Sequence, residues 1–201
     1  MQSDFLRLLC RAKLIKRWSG TLCLEEDDVA RHTYDVAVIT YLLCVILNEN
    51  SDNKIDTNKA VTVAIFHDCT DMILTHIISP VKKCNSRILN AVDELKKEAE
   101  NQIVNMLSPT MQKEFFTILE CEDTLINQVV KIADNIDVYC KSLEEIQRGN
   151  IEFLTIYKQS LMKLKVHAEK YSYVGEFIDI FLEPCEENNY KFRYLHEEEE
   201  L

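Results

Sequence analysis

Ala64-Ile65-Phe66-His67-Asp68-Cys69-Thr70-Asp71 is an apolar run that ends in one histidine and two carboxylates. Ala60, Val63, Ala64 and His67 share a face at helical spacing, and Asp68 has Ala64 at i−4 and Ile65 at i−3. Ionisable side chains on the apolar side of a helix are costly to bury unless something pairs them. A metal ion would satisfy both at once. His32, with Val29 at i−3 and Val36 at i+4, has the same character, and so does Asp134, flanked by Val130 and Val138. Asp134 is expected to face protein, with Asp137 as the rival ligand on its helix.

The composition agrees with a helical reading of that stretch. Apolar residues make up 47% of the 201 residues, while Gly and Pro number 3 each, too few for the turns of a β protein. The fold class expected is all-α, a single helical bundle over 1–201. Its core runs from about 5 to 183, and an acidic tail covers about 196 to 201. A formal charge of −11 argues against a polymeric nucleic acid as partner. It also means that any phosphate site must be built locally, from a metal and one or two basic side chains.

Eight cysteines (Cys10, Cys23, Cys44, Cys69, Cys84, Cys121, Cys140 and Cys185) are scattered without a C-x-x-C pair and read as free thiols in a reducing cytoplasm. Cys69, beside Asp68, is a minor candidate for contact with the metal. The apolar run Val36 to Leu47 reads as a core helix, being too short to span a membrane. Charges at Asp4, Arg7, Arg11 and Lys13 are unlike a signal peptide.

Along the chain, Phe5, Leu8, Leu9, Ala12 and Ile15 predict a first helix that stops near Gly20. Glu25-Glu26-Asp27-Asp28 reads as the start of a second helix, which carries His32 and runs through Leu47. A third has Thr57 as its N-cap, and Pro80 forces a loop or short turn after His76. Further helices are expected at about 88–106, 110–120, 123–148, 151–170 and 172–182, with Pro184 closing the bundle. Two imidazoles and two carboxylates on such helices, His32, His67, Asp68 and Asp134, suit a divalent transition ion such as Co, Mn, Fe or Zn with open coordination positions. No thiolate spacing marks a structural zinc site.

These residues stand among others that form a pattern. Arg11-Ala-Lys-Leu-Ile-Lys-Arg17-Trp18, Ser79-Pro80-Val81-Lys82, Lys131-Ile-Ala-Asp134 and Lys141-Ser-Leu-Glu144-Glu145, with Gly149-Asn150-Ile-Glu152-Phe153 after it, resemble an HD-domain phosphohydrolase of the YfbR-like 5′-deoxynucleotidase family. The resemblance spans roughly Leu6 to Phe153 and implies a metal-dependent phosphomonoesterase acting on nucleoside 5′-monophosphates, and a homodimer. It implies that Asp71 positions or deprotonates the attacking water, that Arg17 grips phosphate, and that Trp18 lies near the nucleoside. Lys82 and His76 become further substrate contacts. Two positions depart from the family pattern. Asp71 stands where Glu is usual, and Leu74-Thr75-His76-Ile77 replaces Thr-Gly-Asp-Leu, which places a histidine where the family has an aspartate near the sugar. The departures keep open two alternatives: a weakened HD domain that binds a nucleotide or protein partner, and a hydrolase of another phosphoester. A plain helical interaction protein with structural His and Asp residues is the third.

Overall fold

Asp28, Asp56, Asn85 and Asp123 decide where four of the helices begin, because each side chain accepts a hydrogen bond from an amide in the first turn that follows. The helices they start are α2 (Val29–Asn50), α3 (Thr57–Phe66), α6 (Ser86–Asn105) and α8 (Thr124–Gln147). Around them lie α1 (Phe5–Leu9), α4 (Asp71–Leu74), α5 (Ser79–Lys82), α7 (Pro109–Leu119), α9 (Leu154–Lys170) and α10 (Ser172–Phe177). The computed structural model describes residues 2–52 and 54–183. Pro184, Cys185 and the acidic tail lie outside the described residues.

Three boundaries differ from the sequence expectation. The first helix gives way to a 3₁₀ turn at Cys10–Leu14, and Ile15 is extended. Its neighbours are claimed elsewhere: the Val29 amide donates to the Ile15 carbonyl and the Arg17 amide to that of Asp27, so the segment docks on the start of α2. Gly20 therefore closes a turn, at φ +87°, in which the Thr21 amide bonds the Trp18 carbonyl. Among the four acidic residues before α2, only Asp28 caps; Glu25, Glu26 and Asp27 stay outside and pair with Arg31, Lys16 and Arg17. Asp56, not Thr57, caps α3.

No strand forms among the described residues; helices α2 and α8 pack on one another at the centre, with α3, α9 and α10 against them. On α8, Ile126, Val129, Ile132, Ala133 and Ile136 are fully enclosed. Truncating one of the isoleucines to alanine would cost about 2–5 kcal/mol. Helix α2 is long and apolar enough by composition to cross a membrane, yet Val36, Leu43, Cys44 and Leu47 are buried in the bundle, which accounts for its apolarity. A second apolar cluster (Leu8, Ile15, Val29, Met72, Ile103 and Phe115) lies beneath the N-terminal segment. Ala64 belongs to the first cluster and Cys69 to the second, so residues 65–68 lie at the seam between them.

Candidate metal centre

His32 lies in the first turn of α2, 1% exposed, and its Nδ1–H donates to the Asp137 carboxylate at 2.7 Å. His67 caps the C-terminus of α3, and its Nδ1–H donates to the Ala64 carbonyl at 2.7 Å, one of the carbonyls a helix end leaves free. Both rings are thereby fixed in the tautomer that leaves Nε2 as an acceptor. The two Nε2 atoms face each other at 3.2 Å. Two lone pairs at that distance repel unless a cation or a proton lies between them. Asp68 Oδ2 stands 3.6 Å from His32 Nε2 and 3.5 Å from His67 Nε2, and Asp134 Oδ1 is 3.5 Å from His32 Nε2. Ligand bonds of about 2.0–2.2 Å place neighbouring donors roughly 3–3.5 Å apart. The donor set fits a divalent transition ion.

The charges say the same. Burial alone would lower His32, but hydrogen bonds to Asp137 and Asp68 outweigh it and raise the ring to about 9 without an ion. Burial would raise Asp68, yet His32 and His67 hold it well below the usual carboxylate range. The cluster attracts positive charge strongly enough to keep a proton where a metal would sit. Asp134 differs from expectation: its side chain is 45% exposed, so it faces an opening and not protein. Asp137, the rival, is the buried one and supports His32 from behind.

Behind Asp137 runs a chain of polar contacts. Arg17 donates to Asp137 at 3.0 Å and lies 3.5 Å from Asp27, which accepts from Trp18 Nε1 at 2.8 Å. Burial would raise Asp137, but His32 and Arg17 hold its carboxyl below the ordinary range. The Arg17 Nε is buried with no hydrogen-bond partner, so one donor of the fork is left over. Trp18 sits at φ +60°, a conformation unusual for a bulky residue, and its ring packs edge-on against Phe153. Glu145 ties the segment down: it accepts from the Leu24 and Glu25 amides, from Lys141 and from Asn150.

On the other flank, Asp71 is 1% exposed and its Oδ2 accepts from His76 Nδ1–H at 2.9 Å. Donor atoms of Asp68, Asp71 and His76 all lie within 4.8 Å of one another. Thr75, between them in sequence, holds φ +63° and ψ 169°, a region that is essentially glycine-only.

A cavity of about 330 Å³ opens beside the donors, lined by His67, Asp68 and Asp134 together with Lys96, Lys131 and Asn127. The two lysines supply the local positive charge that a chain this acidic needs for an anionic ligand. Sequence reasoning gives neither a role: Lys96 reads as part of a solvated face, and Lys131 enters only as the start of the Lys131-Ile-Ala-Asp134 motif. Lys82, on α5, does not line this cavity. Cys69 does, but its thiol is 2% exposed and pushed up to about 12 by burial, and it is not among the clustered donors. The seven described cysteines are all free.

Comparison with known proteins extends this picture. A family model described as "5'-deoxynucleotidase YfbR-like" matches residues 4–185. A 4′-phosphooxetanocin A phosphatase from Priestia megaterium is 34% identical over 96% of this chain and all of its own length. A 5′-deoxynucleotidase from Pectobacterium atrosepticum is 30% identical over 81% of this chain and 82% of its own. Among solved structures, an HD-domain phosphohydrolase from Listeria innocua superposes with a TM-score of 0.78 at 23% identity, covering 90% of this chain and 87% of that one. A cyanophage S-2L HD phosphohydrolase, bound to dA and one catalytic Zn²⁺ ion, superposes at 0.59 and 12% identity, covering 90% and 96%.

Proposed function

The chain belongs to the YfbR-like 5′-deoxynucleotidase family, and on that premise we propose that it is a metal-dependent phosphomonoesterase which hydrolyses nucleoside or deoxynucleoside 5′-monophosphates to nucleoside and phosphate. The observation that carries the reading is the meeting of donor atoms of His32, His67 and Asp68 at 3.2–3.6 Å, with the two Nε2 atoms facing each other and Asp134 Oδ1 3.5 Å from His32 Nε2. His32, His67, Asp68 and Asp134 hold the ion. An ion bound there supplies Lewis acidity toward phosphate oxygens and lowers the pKa of a water molecule.

The protein's own side chains do the rest. Lys96 and Lys131 border the cavity and draw in the phosphate dianion. Arg17 offers the Nε donor that its two aspartates leave over. Trp18, fixed through Nε1 on Asp27 and by packing on Phe153, bounds the nucleoside end. Asp71 and His76 handle protons beside Asp68. Lys82 is a more distant phosphate contact. The chain works as a single cytoplasmic HD domain and, as its family resemblance implies, a homodimer.

The first relative named above carries the name of a 4′-phosphooxetanocin A phosphatase and not of a 5′-deoxynucleotidase, and His76 occupies the position where, by the family resemblance, an aspartate near the sugar is usual. Both favour a second reading, in which the preferred substrate is a phosphoester other than an ordinary 5′-deoxynucleotide. One panel tests both: phosphate release from ribo-, deoxyribo- and sugar-modified nucleoside monophosphates with Co, Mn, Mg, Zn or no metal, and Asp134→Ala as control. Metal-dependent release that Asp134→Ala abolishes is expected. No release from any nucleotide by fully metallated protein would sink the reading.

A further inference from the structure

Hydrolysis of a nucleoside monophosphate has a difficulty that an ion on the phosphate side does not remove. The 5′-oxygen departs as an alkoxide, a poor leaving group, and needs a proton as the P–O bond breaks. The structure places a suitable donor at the edge of the donor cluster. Asp71 Oδ2 holds His76 through Nδ1–H at 2.9 Å, which fixes the ring and leaves Nε2 as its other proton-carrying atom. The ring lies within 4.8 Å of the Asp68 carboxylate, one step beyond the atoms that would hold an ion. Its side chain is 17% exposed, open enough to meet a ligand, while Asp71 is 1% exposed. A polar group so enclosed is costly unless it is hydrogen-bonded, and the His76 ring supplies that bond.

The backbone is bent to make this pair. Thr75 is β-branched yet sits at φ +63°, and that turn brings His76 back onto Asp71. Such strain persists only where the surroundings over-determine it, and it concentrates at functional sites.

We propose that His76 is the general acid of this enzyme and that Asp71 is its positioning residue, an inference that rests on the phosphomonoesterase reading. Water oxygen forms the new bond to phosphorus, the bond from phosphorus to O5′ breaks, and its electron pair stays on O5′. The His76 Nε2 proton goes to O5′ to give the nucleoside hydroxyl. A proton released from the water side through solvent restores the imidazolium. Asp71 stays ionised throughout. Asp71 then acts on the leaving group through the ring, not directly on the attacking water.

The test uses the metallated full chain with two aryl esters that lack a sugar, p-nitrophenyl phosphate and phenyl phosphate, beside a deoxynucleoside monophosphate. A missing general acid hurts poor leaving groups most. His76→Asn is expected to lower kcat on the nucleotide by about 10²-fold or more. It also lowers the phenyl to p-nitrophenyl rate ratio by at least about tenfold, with ion content unchanged. Asp71→Asn should move the same ratio in the same direction by less. An unchanged ratio in His76→Asn, or an effect confined to KM on nucleotides, would overturn the proposal in favour of a structural or sugar contact. So would two ions per chain falling to one in His76→Asn, the mark of a second metal ligand. If the wild type releases phosphate from none of the three esters, the phosphomonoesterase reading itself fails, and this one with it.

Discussion

His32 and His76 are built alike and stand in different places. Each gives Nδ1–H to an aspartate, at 2.7 Å for Asp137 and 2.9 Å for Asp71. Each aspartate is almost fully enclosed. The difference lies in what surrounds the other nitrogen. Around His32 Nε2 are His67, Asp68 and Asp134, and the ring is sealed at 1% exposure on a long, well-capped helix. His76, 17% exposed, lies on a short loop after a strained Thr75. A carboxylate–imidazole pair has no fixed task. Packing decides whether its free nitrogen meets an ion or exchanges protons with a ligand.

Removing each imidazole separates the two cases most sharply. His32→Ala is expected to take the ion content to zero and phosphate release to background on every ester, measured by elemental analysis and a phosphate assay. His76→Asn keeps its ion. Next in size come the partner aspartates. Asp137→Asn should weaken metal affinity about 10–100-fold, read by chelator competition, whereas Asp71→Asn should leave it within about threefold, well short of that range.

Acid–base behaviour gives a smaller contrast. In metal-free protein His32 is raised to about 9 from the ordinary 6.5. The stabilisation this brings is complete below 6.5 and is lost as the pH rises through about 9. It is worth on the order of 2–4 kcal/mol. Thermal melts of metal-free protein should therefore fall between pH 6.5 and 9.5, and metal-loaded protein should be spared because the ion takes the proton's place. His76→Asn should not alter this pH dependence. The smallest effect belongs to the loop: Thr75→Gly relieves a glycine-type conformation, so Tm should rise by roughly 2–4 °C. The nucleotide rate should fall a few-fold as His76 loosens.

Much of this was legible in the chain itself. His32, His67, Asp68 and Asp134 stand out because ionisable groups on apolar helical faces need a partner; in the structure the donor atoms of the first three cluster, and Asp134 lies 3.5 Å from His32. Asp137 was visible at i+3 from Asp134 but misread as a rival ligand, since spacing shows a shared face and not which carboxylate turns inward. The Asp71–His76 bond was hidden for another reason. It closes over five residues only because Thr75 adopts a positive φ, and nothing in a threonine announces that. Lys96 was lost among like charges on α6, where pattern alone cannot show which end of a polar face overhangs a cavity.

Glu145 leaves one consequence for traffic through the molecule. It sits eleven residues beyond Asp134 on the same helix, about 16 Å along a rigid rod at 1.5 Å per residue. Burial would raise its carboxyl, but Lys141, Asn150 and the amides of Leu24 and Glu25 outweigh that and hold it at about 2. Swinging the segment of Trp18 and Asp27 outward would take the Leu24 and Glu25 amides, two of its four donors, from a buried carboxylate, at several kcal/mol. That side of the doorway is a fixed jamb. The cavity beside the donors is lined instead by Lys96 and Lys131.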